Sequence, residues 1–342
     1  MIPRVIASTI AGMLLLLVGC GGAPAGPGGP GGPGGPGGPG GPGSNPFTGR
    51  LIGNGTGYIH TMDLSANGAW LEKMSVATGY DVAAIDTSQN ELYIAGMNMQ
   101  DPMFIDVIDA TTFATKRSFL WPDTEALLRV EGFAAAPGGR YLAARLSGFG
   151  DPFLEVMDTE SGTILYTADD LVAESNLVWT ADMHLMLAYE PAGAFDPDVY
   201  GAVIAIPLEQ FLEDDDELGA FIVQGFTRAQ WGLSGVTYLA LSADETQLAY
   251  VLNGDIWVKD LTQDGAPLQL TTGPTANVGP AFSPDGAYIA FVGRRTYGLS
   301  DTLVLPNDGT GPYIVDVGDY PNSQAYLVDK QNLVKEIMSW RP

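Results

Sequence analysis

The sequence predicts an all-β fold, a six-bladed β-propeller of four-stranded antiparallel blades, closed by pairing of N- and C-terminal half-blades. Two observations carry this: a strand–turn–strand pattern recurring about every 45 residues, and strand fragments at both chain ends that lack partners of their own. Blades of this kind cannot bury their faces alone, and radial stacking solves the problem.

The repeat is clearest at "AFSPDGAYIAFV", beginning at Ala281, and "ALSADETQLAYV", beginning at Ala240. It continues in "AAAPGGRYLAAR" from Ala134 and "VWTADMHLMLAY" from Val178, with weaker copies in "AIDTSQNELYIA" from Ala84 and "AYLVDKQNLVKEI" from Ala325. The anchor positions Thr87, Pro137, Ala181, Ala243, Pro284 and Val328 are spaced by 50, 44, 62, 41 and 44 residues. Each copy reads as an apolar strand, a tight polar turn and a second strand. In "SPDG", Pro284 fixes φ and Gly286 tolerates positive φ, so Ser283 to Gly286 are expected to turn the chain. A third strand ending in Asp follows most copies: "FIDVID" to Asp109, "FLEVMD" to Asp158 and "DIWVKD" to Asp260. Near the N-terminus, "GTGYIHTMDLSANGAWLEKMSV" reads as strands three and four, with Asp63 in the same position. The last copy supplies strands one and two, so the chain ends would complete a sixth blade and remove the open edges.

"FSPDG" followed by an apolar strand with Ala and an aromatic resembles the repeat of TolB-like (WD40-like) β-propellers, also found as the propeller of prolyl-oligopeptidase-type enzymes. The resemblance spans nearly all of residues 50–340, strongly in two copies and loosely in the others. It implies a periplasmic protein that binds a peptidoglycan-associated lipoprotein. This chain departs from that pattern, because no α/β domain precedes the propeller and the chain itself carries a lipidation motif, so that partner is not carried over.

The motif lies at residues 1–19, which read as a signal peptide: Arg4, then the apolar run "IAGMLLLLVG". The ending "LVGC" resembles the bacterial lipobox and implies acylation of Cys20 and anchoring to a lipid bilayer. Cys20 is the only cysteine, so no disulfide forms within the chain. Residues 20–46 are a Gly/Pro-rich tether with "GGP" triplets, able to reach roughly 70 Å at about 3.1 Å per residue. The propeller is expected over 47–342, held outside the cytoplasm in the cell envelope, with the outer membrane favoured because Gly21, not Asp, follows Cys20.

With 40 acidic against 15 basic side chains and a net charge of -25, the chain repels phosphate backbones, so no nucleic-acid partner is expected. No G-x-S-x-G sequence is present, and "WGLSGV" around Ser234 reads as a loop. The two histidines, His60 and His184, are too few for a multi-histidine metal site. The chain is expected to be non-enzymatic and monomeric, without a cofactor.

A strand meander sorts its turns, placing 1–2 and 3–4 turns at one end of the ring and 2–3 and 4–1 loops at the other. Asp101, Asp151, Asp196 (or Asp198), Asp255 and Asp301 close the 2–3 loops. Such a ring of carboxylates suits a Ca²⁺ ion or a basic segment, or each Asp caps its own turn. The 4–1 loops offer Tyr80, Asp81, Arg228, Trp231, Asp319 and Tyr320 as a face for an envelope protein partner. The insertion at 209–219, "EQFLEDDDELG", reads as a short helix or acidic loop on the turn-rich end. Binding of a protein is the expected role; a Ca²⁺-dependent sugar or lactone binder, or a carboxylate enzyme in the channel, is the alternative.

Overall fold

The computed structural model describes residues 47–55, 58–64, 71–75, 82–86, 90–96, 103–122, 129–147, 152–168, 176–190, 200–212, 220–232, 235–272, 276–294, 300–307, 313–314, 326–332 and 334–342. Cys20 and the tether lie outside these residues, as do Tyr80, Asp81, Asp101, Asp151, Asp196, Asp198, Asp319, Tyr320 and the run 213–219.

Strands whose residues are apolar on both faces need a neighbour on both sides. Six four-stranded antiparallel sheets meet this need. In chain order, β1 (Arg50–Gly55), β2 (Tyr58–Asp63) and β3 (Leu71–Ser75) belong to blade one. Blade two is β4 (Val82–Asp86), β5 (Glu91–Gly96), β6 (Phe104–Asp109) and β7 (Thr115–Leu120). Blade three is β8 (Arg129–Ala135), β9 (Tyr141–Ser147), β10 (Phe153–Asp158) and β11 (Thr163–Ala168). Blade four comprises β12 (Val178–Trp179), β13 (His184–Tyr189), β14 (Gly201–Pro207) and, after helix α1 (Glu209–Leu212), β15 (Phe221–Phe226). Helix α2 (Arg228–Trp231) leads into blade five, β16 (Val236–Leu241), β17 (Gln247–Leu252), β18 (Asp255–Asp260) and β19 (Leu268–Gln269). The short β20 (Thr271–Thr272) precedes blade six, which contains β21 (Ala276–Phe282), β22 (Tyr288–Arg294), β23 (Ser300–Pro306) and β25 (Tyr326–Asn332). Between the last two, β24 (Tyr313–Ile314) pairs in parallel with β20. Finally β26 (Val334–Arg341) returns to blade one as its innermost strand, giving the order β26-β1-β2-β3.

Six apolar layers fill the spaces between neighbouring blades. In β17, Leu248, Tyr250 and Leu252 face blade four, while Ala249 and Val251 face blade six. The layer of Phe47, Leu51, Met62 and Trp340 packs blade one on Val278, Ala281 and Val292 of blade six, and that of Ile52 and Ile59 packs it on Leu92 and Ile94 of blade two. The apolar layers thus run round a closed circle. Each fully buried aliphatic side chain contributes roughly 1.5–3 kcal/mol against the entropy of ordering the strands.

The closing blade corrects the expected division. Its strands three and four are β2 and β3, as the sequence indicates, but strand two is the N-terminal β1, and only β26 comes from the C-terminus. The segment read as strands one and two of a last repeat is instead split: β25 pairs with β23 as the outer strand of blade six, and β26 pairs with β1. The physical reason is the seam itself. Gly49, at φ +96°, brings the chain so near β26 that a Cβ would lie 2.2 Å from the Arg341 carbonyl oxygen. The Trp340 indole N–H donates to the Thr48 carbonyl at 3.0 Å, and Phe47 meets the Trp340 ring edge-on at 5.9 Å.

Candidate interaction face

The turn-bearing end is built from one repeated device. Ser283 donates through Oγ to Asp285 Oδ1 at 2.6 Å and accepts from the Tyr288 amide at 2.9 Å. Asp285 also accepts from the Ala287 amide at 3.1 Å, and Gly286 takes φ +71°. Ser242, Asp244, Thr246 and Gln247 repeat the pattern in blade five, and Thr180, Asp182 and His184 in blade four. On the 3–4 turns, Asp109 accepts from the amides of Thr111 and Thr112, Asp158 from those of Glu160 and Ser161, and Asp260 from that of Thr262. Hydrogen bonds to an ionised carboxylate favour that form. The Ser283 hydroxyl holds Asp285 below the usual aspartate value, the Thr112 amide does so for Asp109, and the Thr262 hydroxyl for Asp260. "SPDG" is a turn.

At the opposite end this device does not recur among the described residues. Between blades four and five the chain forms α2, whose N-cap is Thr227. Its side chain accepts from the Gln230 amide, while the Gln230 side chain accepts from the Thr227 amide at 2.9 Å, a capping box that fixes a single helical turn. Trp231 ends that turn pointing inward and is 1% exposed. Its ring lies over Gly201, where a Cβ would come within 2.5 Å of the indole, and beside Phe226 at 5.7 Å. The indole N–H donates to Glu190 Oε2 at 3.2 Å. Arg228 stays exposed, its guanidinium 5.3 Å from the centre of the Tyr200 ring. From blade five, the two-residue turn Asn253-Gly254 (φ 53° and 85°) reaches over, and Asn253 Nδ2 donates to the Gln230 carbonyl at 2.9 Å. Thr227, Arg228, Ala229 and Gln230 are left facing solvent above a fixed aromatic base.

Among the proposed contact residues, then, Arg228 lies on the surface and Trp231 in the core beneath it. Tyr200, Glu190, Gln230 and Asn253 complete the platform. Two local signals mark it in the sequence, the T-x-x-Q capping pattern and the Asn-Gly hairpin dipeptide.

Of the carboxylates proposed as a ring, Asp255 and Asp301 are described. Asp255 accepts from Gln269 Nε2 at 3.1 Å and from Thr271 Oγ1 at 3.3 Å, and burial raises its pKa. Asn277 of blade six ties into the same group, donating to the Gly254 carbonyl at 2.7 Å and to Thr271 Oγ1 at 3.2 Å. Asp301 is fully buried in β23. Among the described residues no group of three His, Cys, Asp or Glu side chains is placed to hold a metal ion.

The inner strand β16 adds a second irregularity. Tyr238 sits at φ 53° in a bulge whose counterpart in blade six is Gly279, at φ 57°. Asn176 grips the displaced peptide, accepting from the Leu239 amide at 2.5 Å and donating to the Leu239 carbonyl at 3.1 Å. Arg294 donates to the Tyr238 hydroxyl at 3.4 Å.

The structure is similar to that of TolB from Acinetobacter baumannii, at a TM-score of 0.57 and 15% identity, over 86% of this chain and 67% of that one. It is also similar to a chain of a nidogen/laminin complex, at 0.56 and 14%, over 86% of this chain and 99% of that one. The fold is therefore the TolB-like propeller. In sequence, 87 residues are 37% identical to a putative tricorn protease homolog 2 of Streptomyces coelicolor, spanning 25% of this chain and 7% of that protein. No protein-family model matches the chain.

Proposed function

We propose that this chain is a lipid-anchored protein of the bacterial cell envelope, acylated on Cys20, whose propeller binds a protein partner at the end carrying α2. The observation that supports binding there is the Arg228 platform: a capped helical turn held from three sides, with its polar surface open. Rigid presentation lowers the entropic cost of association, and Arg over an aromatic ring is a frequent contact centre. The tether of residues 20–46 would set the propeller away from the lipid surface. A propeller of similar fold comes from a structure determined as a protein complex, which is consistent with this role.

Anchoring is tested by metabolic labelling with a fatty acid and by membrane fractionation. Label should be incorporated and lost on Cys20→Ala, and a Cys20→Ala chain that remains labelled would remove the anchor. Partner binding is tested by photo-crosslinking from position 230, with capture from detergent-solubilised envelopes. One crosslinked protein should appear and be lost on Arg228→Glu, whereas a crosslink indifferent to that charge reversal would argue against the platform.

A further inference from the structure

We propose that blade six carries, on its face toward blade five, a binding site for Ca²⁺, held between the side-chain oxygens of Asn277 and Asp301. The proposal concerns the joint between two blades and does not depend on a partner at α2.

Strand register places the two residues. Asn277 on β21 lies opposite Gly293 on β22, and Gly293 lies opposite Asp301 on β23. Directly opposed residues of antiparallel strands share one face of the sheet. It is the face toward blade five, because Phe291 and Leu303, two positions along from Gly293 and Asp301, pack there with Val251 and Ile256. Three strands thus present an amide, a gap and a carboxylate in one row. With strands about 4.8 Å apart, an ion above Gly293 has Asn277 on one side and Asp301 on the other, each able to approach a metal–oxygen distance of about 2.4 Å. A side chain at 293 would fill that position.

The Asn277 amide is what points to a ligand. The residue is 1% exposed, and its Nδ2 donates to the Gly254 carbonyl at 2.7 Å and to Thr271 Oγ1 at 3.2 Å. Among the described residues its buried Oδ1 has no hydrogen-bond partner. Turning the amide over gives no relief, since an oxygen would then face the Gly254 carbonyl. Nor does Thr271 have a proton to give: its hydroxyl accepts from the Ile256 amide at 2.8 Å and donates to Asp255 Oδ1 at 3.3 Å. A buried acceptor left unmet is unfavourable, and a cation or a water supplies what is missing.

Donor chemistry selects between these. Every group named here offers oxygen, from the Asn277 amide, the fully buried Asp301 carboxylate and the nearby Asp255 carboxylate, which Thr271 links to Asn277. Oxygen sets suit hard cations, and two carboxylates match a divalent charge. Ca²⁺ accepts irregular mixtures of carboxylate, amide and water oxygens, whereas Mg²⁺ demands a regular octahedron and keeps its own waters.

The test is calorimetric titration of the full chain, freed of divalent ions with a chelator, with Ca²⁺ in about 150 mM KCl, which screens the acidic surface. A single Ca²⁺ should bind per chain, and Mg²⁺ should fail to displace it. Gly293→Ala, which adds a methyl group at a glycine that does not need positive φ, and Asp301→Asn should each weaken binding at least about tenfold. Asp285→Asn, at the opposite end of the ring, should leave affinity unchanged. Circular dichroism checks the folding of each variant, and the titration of the unsubstituted chain decides by itself if a variant does not fold. Absence of a single-site isotherm would assign the Asn277 oxygen to a water and overturn the proposal. Affinity unchanged by both substitutions, affinity lowered as much by Asp285→Asn, or equal binding of Mg²⁺ would place the ion on the acidic surface and overturn it too.

Discussion

Asp285 and Asp255 sit at opposite ends of the propeller, and their carboxyls are pushed in opposite directions. Asp285 is exposed in a turn and bonded to the Ser283 hydroxyl, which lowers its pKa. Asp255 is half-buried where blades five and six meet, and desolvation outweighs its bonds to Thr271 and Gln269. The first is one instance of a local device used in several blades. The second belongs to a joint between blades five and six. At one end the repeat stabilises itself turn by turn; at the other, among the described residues, the Asp255 joint is held by Gln269, Thr271 and Asn277 from different segments.

Breaking the unique end should cost most. Trp231→Ala removes a fully buried indole, and about 3–5 kcal/mol of stability should be lost in urea denaturation; a loss below about 1 kcal/mol would mean that the platform is not anchored through the core. Gly201→Ala forces a Cβ into that indole and should cost about 1–3 kcal/mol, a value that Trp231→Leu in the same chain should reduce. At the turn-bearing end, Ser283→Ala removes the donor to Asp285 and the acceptor for the Tyr288 amide. A single-turn loss of about 1 kcal/mol is expected, because the other turns are independent and effects at distant sites add.

The pH dependence sharpens the contrast. Asp285, whose folded pKa lies below its ordinary value of 3.8, contributes stability present above that value and lost as pH falls through the folded one. Asp255, whose folded pKa lies above 3.8, opposes folding once ionised, and that penalty is relieved as pH falls from above its raised value toward 3.8. Asp255→Asn should therefore leave the urea midpoint at pH 7 unchanged or higher and flatten its dependence on mild acidification. A midpoint lowered as far as by Ser283→Ala would show that the carboxylate is needed at the joint. The smallest effect is expected in the core. Among the described residues the buried Tyr250 hydroxyl has no hydrogen-bond partner, so Tyr250→Phe should change stability by less than about 1 kcal/mol and in the favourable direction.

Turns were legible in the sequence because their chemistry is local. Ser, Pro, Asp and Gly within five residues define a hydrogen-bonded loop wherever they occur, and the third-strand Asp residues announce the next turn in the same way. Where two strands had to be assigned to sheets rather than merely recognised, locality failed. The run from Tyr326 to Arg341 reads as a hairpin, yet its halves belong to different blades, because Leu51 and Trp340 must share a layer with residues of blade six. Trp231 illustrates the same limit within the site. Beside Arg228 in sequence, it has the composition of a contact surface, and only the capped turn of α2 sends the two side chains to opposite sides.

By itself the sequence determined the all-β class, the four-strand repeat and the turn chemistry that spaces it, since these depend on residues near one another along the chain. The three-plus-one closure, the burial of Trp231 and the desolvation of Asp255 were decided by the tertiary structure. Each depends on which strand lies beside which, and that is settled by filling the apolar layers between blades and not by any one segment's preference.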